Sequence, residues 1–174
     1  MRAASAIAPC ELPQGALLRK YLGSGAYADC FFTDIASDVS HAEYVEAFYT
    51  TWVFKLERLI LKWFVSRPST DAEAQELATG NRDTFAAWVV EGRSTDQILL
   101  SDFRGTTRSW LMRIPLTFGV TRLYFGSAVV PIANPRSGEA RMGFVFRALL
   151  GFHRLYSRIL LKSAASRLDR RAGT

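Results

Sequence analysis

Stretches of helical periodicity alternate with stretches of strand periodicity along this chain. Residues 27–35 carry closely spaced aromatic and aliphatic side chains and predict a strand. The next segment has apolar residues at three- and four-residue spacing, which predicts an amphipathic helix that ends near Ser66, just before Pro68. The apolar face of this helix consists of Tyr44, Val45, Phe48, Trp52, Leu56, Leu59, Ile60 and Trp63.

Two local signals mark where helices begin. Ser40 and Glu43 fit a capping box, in which the hydroxyl accepts from one backbone amide and the carboxylate accepts from another. Thr70 and Glu73 repeat this pattern and open a second, short helix, which Gly80 can terminate. The sequence therefore predicts two helices after the first strand.

Residues 83–131 change to strand chemistry, with short turns between the apolar runs. We predict strands at 84–91, 97–101, 106–114 and 120–130. Turns are expected at 92–96 and 104–105, where glycine and small polar residues cluster. Consecutive strands with short turns indicate an antiparallel meander rather than βαβ units.

A long helix from about residue 139 to residue 167 completes the order of elements. Its apolar stripe consists of Val145, Leu149, Phe152, Tyr156, Ile159 and Leu160. We expect a single α+β domain over residues 1–174, with an irregular lead-in at 1–25, a short helical turn near 16–22 and a frayed tail at 168–174. The expected architecture is a curved antiparallel sheet wrapped around the long C-terminal helix, which is the helix-grip arrangement.

Charge is distributed unevenly. The formal net charge is +6, yet residues 141–174 hold eight Lys and Arg against one acid, Asp169. We expect the basic face of the last helix to be solvated, with attraction to an anionic membrane surface as the alternative. Nucleic acid fits least, because no aromatic residue interleaves with the basic side chains, so neither a nucleic-acid partner nor stable membrane insertion is expected. No apolar run approaches the roughly 20 residues of a transmembrane helix.

Motifs for metal, nucleotide and cofactor binding are missing from the sequence. The spacing of Cys10, Cys30, His41 and His153 matches no ordinary metal-ligand pattern. There is no glycine-rich phosphate loop and no Gly-x-Ser-x-Gly elbow. We therefore expect no metal and no cofactor, and two reduced cysteines in a cytoplasmic protein.

Short motifs occur in an order that resembles a known family. They are YADCF at 27–31, Trp52 with Leu56, TDQILL at 95–100, RLY at 122–124, FHRL at 152–155 and Leu160-Leu161. Over roughly residues 12–165 the chain resembles an uncharacterised bacterial domain-of-unknown-function family, which we associate with the START/Bet v 1-like (SRPBCC) helix-grip superfamily. This resemblance implies a helix-grip fold with a pocket for an apolar ligand, and it implies no reaction.

Six side chains are candidates for lining such a pocket. They are Trp110, Met112, Arg122, Tyr124, His153 and Tyr156. Arg122 and Tyr124 share a strand face with Gly126 and Ala128, which leaves room for a ligand whose anionic head group meets the guanidinium. The alternative for Arg122 is a solvated strand face, and Trp110 and Met112 fit an ordinary core as well.

Two main functions are compatible with this scaffold. The first is binding of a small apolar or amphiphilic molecule between the sheet and the C-terminal helix. The second is a cyclase- or hydrolase-like enzyme in which His153 acts as general acid or base beside Arg122 and Tyr124. His153 equally fits a histidine that is hydrogen-bonded at the helix–sheet seam. A third hypothesis is an interaction protein that uses its basic C-terminal helix. The sequence does not identify the ligand, and it does not show whether the protein is an enzyme or which oligomer it forms.

Overall fold

The computed structural model describes residues 6–23, 25–54, 69–117, 119–130 and 144–172, the last range without the side chains of 144–154 and 172. The elements in chain order are β1 (Ala8–Pro9), a 3-10 helix (Leu17–Tyr21), β2 (Tyr27–Ile35), α1 (His41–Tyr49), α2 (Asp71–Thr79), β3 (Thr84–Phe85), β4 (Trp88–Ser94), β5 (Gln97–Asp102), β6 (Thr107–Thr117), β7 (Val120–Val129) and α3 (Phe144–Ala172).

Within the described residues, seven strands form one antiparallel sheet in the order β1-β2-β7-β6-β5-β4-β3. The first long strand, β2, pairs with the last, β7, so that Tyr27 lies opposite Val129 and Ile35 lies opposite Thr121. Strands β3 to β7 follow one another as a meander. The predicted α+β class, with an antiparallel sheet and a C-terminal helix, is confirmed.

The two faces of the sheet are covered by different parts of the chain. Side chains alternate along each strand, so the odd-numbered residues of β2, β6 and β7 face one way and the even-numbered residues face the other. One face packs against α1, α2 and α3 and is called the helix face here. The other face packs against residues 6–23, called the N-terminal arm, through Leu12, Ala16 and Leu18.

Gln97 ties the N-terminal arm to the sheet. Its side-chain oxygen accepts from the Leu17 amide and from the Trp110 indole nitrogen, each at 2.9 Å. Its side-chain nitrogen donates to the Gly15 carbonyl oxygen at 3.2 Å. The arm is therefore held in register with β5 and β6 as well as by its apolar contacts.

Both predicted capping boxes are present. Ser40 accepts from the Glu43 amide, and the Glu43 carboxylate accepts from the Ser40 amide. Thr70 and Glu73 make the same pair of bonds at the start of α2. Gly80 ends α2 in the left-handed conformation, with φ of 84°, as its position predicts.

The long helix predicted after β2 is broken near its middle. Helix α1 ends at Tyr49, and the Thr50 hydroxyl bonds back to a carbonyl one turn earlier. The Thr51 hydroxyl then accepts from the Phe54 amide at 3.2 Å and starts a new helical turn at residues 52–54. Trp52, predicted on the apolar face, is 70% exposed. Outside the described residues lie Leu56, Leu59, Ile60 and Trp63.

Two strand predictions are corrected by the pairing of β4. The run predicted at 84–91 is divided by a turn, in which Ala86 has φ of 52°. The turn predicted at 92–96 is shorter, because Gly92, Arg93 and Ser94 continue β4 and pair with β5 after a bulge. Only residues 95 and 96 form the turn.

Helix α3 is longer at its C-terminal end than the sequence predicts. It continues through the buried Leu168 to Ala172, where a frayed tail was expected. Ile159, predicted on the apolar stripe, is an exposed residue, whereas Leu160 and Leu161 are buried in the core. No described helix is long and apolar enough to cross a membrane.

Candidate functional site

The predicted pocket residues whose side chains the structure describes lie on both faces of the sheet. Trp110, Met112 and Tyr124 are buried on the face that the N-terminal arm covers. Tyr156 packs against the core on the helix face, and the His153 side chain lies outside the described residues. Even-numbered positions of β6 and β7 face away from α3. Trp110, Met112 and Tyr124 therefore lie on the other side of the sheet from the C-terminal helix, and their part in a ligand pocket stays a prediction.

Arg122 forms an ion pair with a neighbouring strand residue. Its Nε and Nη2 atoms donate to the two carboxylate oxygens of Asp34 at 2.6 and 2.8 Å. The guanidinium lies 4.3 Å from the centre of the Phe32 ring. Hydrogen bonding to Asp34 raises the pKa of Arg122 above its ordinary value. The guanidinium is thus occupied by Asp34 and does not face a pocket under the helices.

The basic C-terminal helix uses its last cations to hold another helix. Arg167 donates to the Thr50 carbonyl oxygen at 2.7 Å, at the end of α1. Arg171 reaches the Glu46 carboxylate at 3.0 Å. Arg158 and Lys162 are exposed, while Arg147 and Arg154 have side chains outside the described part of the chain.

A row of polar side chains crosses the largely apolar helix face. Asp29 of β2 lies opposite Ser127 of β7, and Ser127 lies opposite Ser109 of β6. The Ser127 hydroxyl donates to Asp29 Oδ1 at 2.5 Å. The hydroxyl oxygens of Ser109 and Tyr49, the latter from α1, are 3.1 Å apart. These four residues are called the polar row.

The polar row is buried, and one of its acceptor atoms has no hydrogen-bond donor among the described residues. Asp29 is only 8% exposed, and the other three side chains are at least as deeply buried. Asp29 Oδ2 has no hydrogen-bond partner among the described residues. An unsatisfied buried polar group costs about 1–3 kcal/mol, and more when it is charged. A donor group brought to Oδ2 would remove this cost.

Helix α3 covers the strands that carry Asp29 and Ser127. Its Ser157 is fully buried, and the hydroxyl oxygen has no partner among the described residues. The core on this face of the sheet also contains large apolar side chains, among them Phe31 and Phe125 on the sheet and Leu160 on the helix. The helix–sheet seam thus combines an apolar wall with a small number of buried polar groups.

One feature of the sequence indicates the polar row. Asp29 interrupts the strand pattern at 27–35 with a charge, and a charge inside a buried strand needs a partner. The partner, Ser127, lies 98 residues further along the chain. Their contact depends on the register between β2 and β7, which no local pattern reveals.

Comparisons with known proteins add no assignment to this geometry. No protein-family model, no curated protein and no solved structure matches the chain. Among the described residues, no group of three or more His, Cys, Asp or Glu side chains could hold a metal ion.

Proposed function

We propose that the protein binds a small amphiphilic molecule between the sheet and α3, with a donor group of the ligand on Asp29. The observation that carries the proposal is the buried Asp29 Oδ2, which lacks a partner among the described residues. Small-molecule sites are mostly apolar and contain a few placed polar groups, and the seam around Asp29 has this composition.

The chemistry of the polar row defines the head group. In this proposal Asp29 acts as a carboxylate, which only accepts hydrogen bonds, and Ser127 already donates to Oδ1. The ligand must therefore bring an N–H or O–H group to Oδ2. An amine or alcohol fits, and a carboxylate or phosphate is disfavoured by the like charge. This differs from the anionic head group that Arg122 suggested.

The order of elements supports a helix-grip frame for this site. The first long strand lies beside the last, and helices α1 and α2 lie between them in sequence. The C-terminal helix then packs on both of these strands. We include in the proposal the START/Bet v 1-like relationship that the sequence motifs suggest, since that superfamily places apolar ligands between sheet and helix.

The cyclase- or hydrolase-like alternative has no supporting observation among the described residues. Arg122 and Tyr124 lie on even-numbered positions of β7, away from α3, and Arg122 is paired with Asp34.

The test compares Asp29→Asn with Asp34→Asn. Both substitutions remove one carboxylate from β2, but Asp34 lies on the opposite face. Native mass spectrometry would measure binding of dodecylamine, dodecanol and dodecanoate, which share an apolar chain and differ in head group. We expect the protein to prefer the amine and alcohol over the acid. Asp29→Asn should weaken amine binding about tenfold or more, equivalent to about 1.4 kcal/mol.

The matched variant and a stability check make the outcome decisive. Asp34→Asn should leave all three affinities unchanged. Thermal unfolding of both variants shows whether they are folded at the temperature of the binding experiment. The proposal fails if the folded protein binds none of the three probes, or if Asp29→Asn and Asp34→Asn change amine binding equally.

A further inference from the structure

Two thiols meet where the N-terminal arm joins the sheet. Cys10 directly follows β1, and its amide donates to the Cys30 carbonyl oxygen of β2 at 3.0 Å. This bond continues the register that pairs Pro9 with Phe31. The two cysteines are free, and their sulfur atoms are 3.0 Å apart.

The backbone geometry of this pair suits a disulfide. Cys10 and Cys30 share one backbone hydrogen bond just past the end of β1, and residues that exchange both bonds in an antiparallel ladder have Cα atoms about 5.5 Å apart. Disulfides most often join Cα atoms that are about 5.5–6 Å apart. A bond between Cys10 and Cys30 therefore needs rotation of the side chains and little movement of the strands.

We propose that Cys10 and Cys30 form a redox pair that a hydroperoxide oxidises to a reversible disulfide, with Cys10 as the reacting thiol and Cys30 as the resolving thiol. The exposure of the two residues sets this order. Cys10 is partly exposed, whereas Cys30 is 4% exposed and packs among Leu99 and Trp110. A small oxidant therefore reaches Cys10 first. The pair lies on the face opposite the polar row, so this inference is independent of the proposed ligand site.

The surroundings favour a thiolate at Cys10 and a thiol at Cys30. The hydrogen bond with Cys30 lowers the pKa of Cys10, and the charge of Arg122 lowers it further, while burial opposes both. The same contact and then burial raise the pKa of Cys30. When Cys10 ionises, the Cys30 thiol donates to it, and the thiolate is the nucleophilic form.

The chemistry balances with the peroxide as the only co-reactant. The Cys10 thiolate attacks one peroxide oxygen, the O–O bond breaks, and the leaving oxygen departs with the electron pair and takes up a proton. The Cys30 sulfur then attacks the sulfenic sulfur of Cys10 and displaces the hydroxyl group, which leaves as water with the Cys30 proton. Two thiols lose two electrons, and the peroxide gains them. A dithiol reductant reverses the bond by exchange.

The disulfide would fasten the N-terminal arm to the sheet. It closes a loop that contains Leu12, Ala16 and Leu18, the residues with which the arm covers its face of the sheet. Oxidation is therefore expected to raise the temperature at which this part of the protein unfolds.

The test begins with the reduced protein and hydrogen peroxide as the oxidant. Samples are quenched with N-ethylmaleimide, and mass spectrometry then measures the mass of the intact protein and identifies the modified peptides. Both thiols should disappear together in the monomer, with a cross-linked peptide that contains Cys10 and Cys30, and dithiothreitol should restore them. In the Cys30→Ala variant, oxidation of Cys10 should end at a sulfenic acid, which dimedone traps. With Cys10→Ser, Cys30 should remain unmodified over the same time.

Arginine variants test the electrostatic part of the inference. Arg122→Leu should slow the first step several-fold, and Arg122→Lys should retain most of the rate because it keeps the charge. Arg113→Leu is the matched control, since Arg113 lies on the helix face and pairs with Asp96, and it should leave the rate unchanged.

The wild-type protein alone can overturn the inference, so a variant that fails to fold does not obscure it. Circular dichroism would show whether each variant is folded. Oxidation of the folded protein no faster than of the protein in guanidinium chloride would contradict it. So would cross-links between chains, or higher oxides of Cys10, in place of the bond to Cys30.

Discussion

Gly126 lies where the N-terminal arm presses on the sheet, and its replacement by alanine is expected to destabilise the protein. A β-carbon at this position would lie 2.9 Å from Leu18 Cδ2, 2.9 Å from Trp110 Cε3 and 3.0 Å from the Asp29 carbonyl oxygen. Ordinary carbon–carbon contacts are about 3.5–4.0 Å. Each carbon neighbour therefore has to move by about half an ångström or more.

The neighbours have little room for such a movement. Leu18 and Trp110 are both 0% exposed, and the carbonyl oxygen belongs to the backbone of β2. Overpacking of a core costs about 1–3 kcal/mol. Replacing glycine by alanine in a strand otherwise gains about 0.5–1 kcal/mol from lost freedom of the unfolded chain. The difference is a loss of up to about 2.5 kcal/mol in the free energy of unfolding. We expect about 1–2 kcal/mol for Gly126→Ala, because a backbone oxygen is one of the three close atoms.

Urea denaturation of a double-mutant cycle would measure this effect. Leu18→Ala alone leaves a cavity, but in combination with Gly126→Ala it also removes one of the contacts. The two losses should therefore sum to at least about 0.5 kcal/mol more than the loss in the double variant. Gly92→Ala is the control, because its β-carbon would meet only Leu17 Cδ1, at 3.5 Å. If Gly126→Ala is as stable as the wild type, or if the two losses add, the packing argument is refuted.

Three further predictions concern single residues. Burial lowers the pKa of His41 from 6.5 to about 4, so between these values the unfolded chain takes up a proton that the folded protein does not. Lowering the pH from 6.5 to about 4 should therefore reduce the free energy of unfolding by up to about 3 kcal/mol. In urea titrations at several pH values, His41→Gln should remove this part of the pH dependence. Gln97→Met should cost about 2–4 kcal/mol, because the Leu17 amide and the Trp110 indole nitrogen lose their acceptor; an unchanged urea midpoint would contradict this. Ser40→Ala should cost about 1 kcal/mol by thermal unfolding, as expected for a lost capping box, and no loss would show that the cap contributes little.

Elements that depend on near neighbours in sequence could be predicted from the sequence alone. Strand β2 has the predicted bounds at 27–35, because its pattern of side chains suits a strand throughout. Both capping boxes formed because each joins residues only three positions apart. The antiparallel class also followed from the short turns between the strands.

Predictions failed where two local preferences competed. Apolar spacing favoured one long helix after Ser40, but Thr50 and Thr51 offered side-chain bonds that end α1. Gly92 suggested a turn, but pairing of Arg93 with Ile98 extended β4 past it through a bulge. In both places hydrogen bonds decided the outcome, and the spacing of apolar residues does not predict them.

The face of the sheet that α3 covers was decided only by tertiary structure. Strand β6 carries apolar residues on both faces, with Trp110 and Met112 on one and Leu111 on the other. A strand that is buried on both sides gives no sign of which side meets the helix, and the sequence did not indicate that the N-terminal arm would cover one side. Sequence reasoning therefore chose Trp110 and its neighbours for a pocket under α3. The pairing of β2 with β7 instead placed Asp29 and Ser127 on the face that α3 covers, because side chains opposite each other in a ladder share a face.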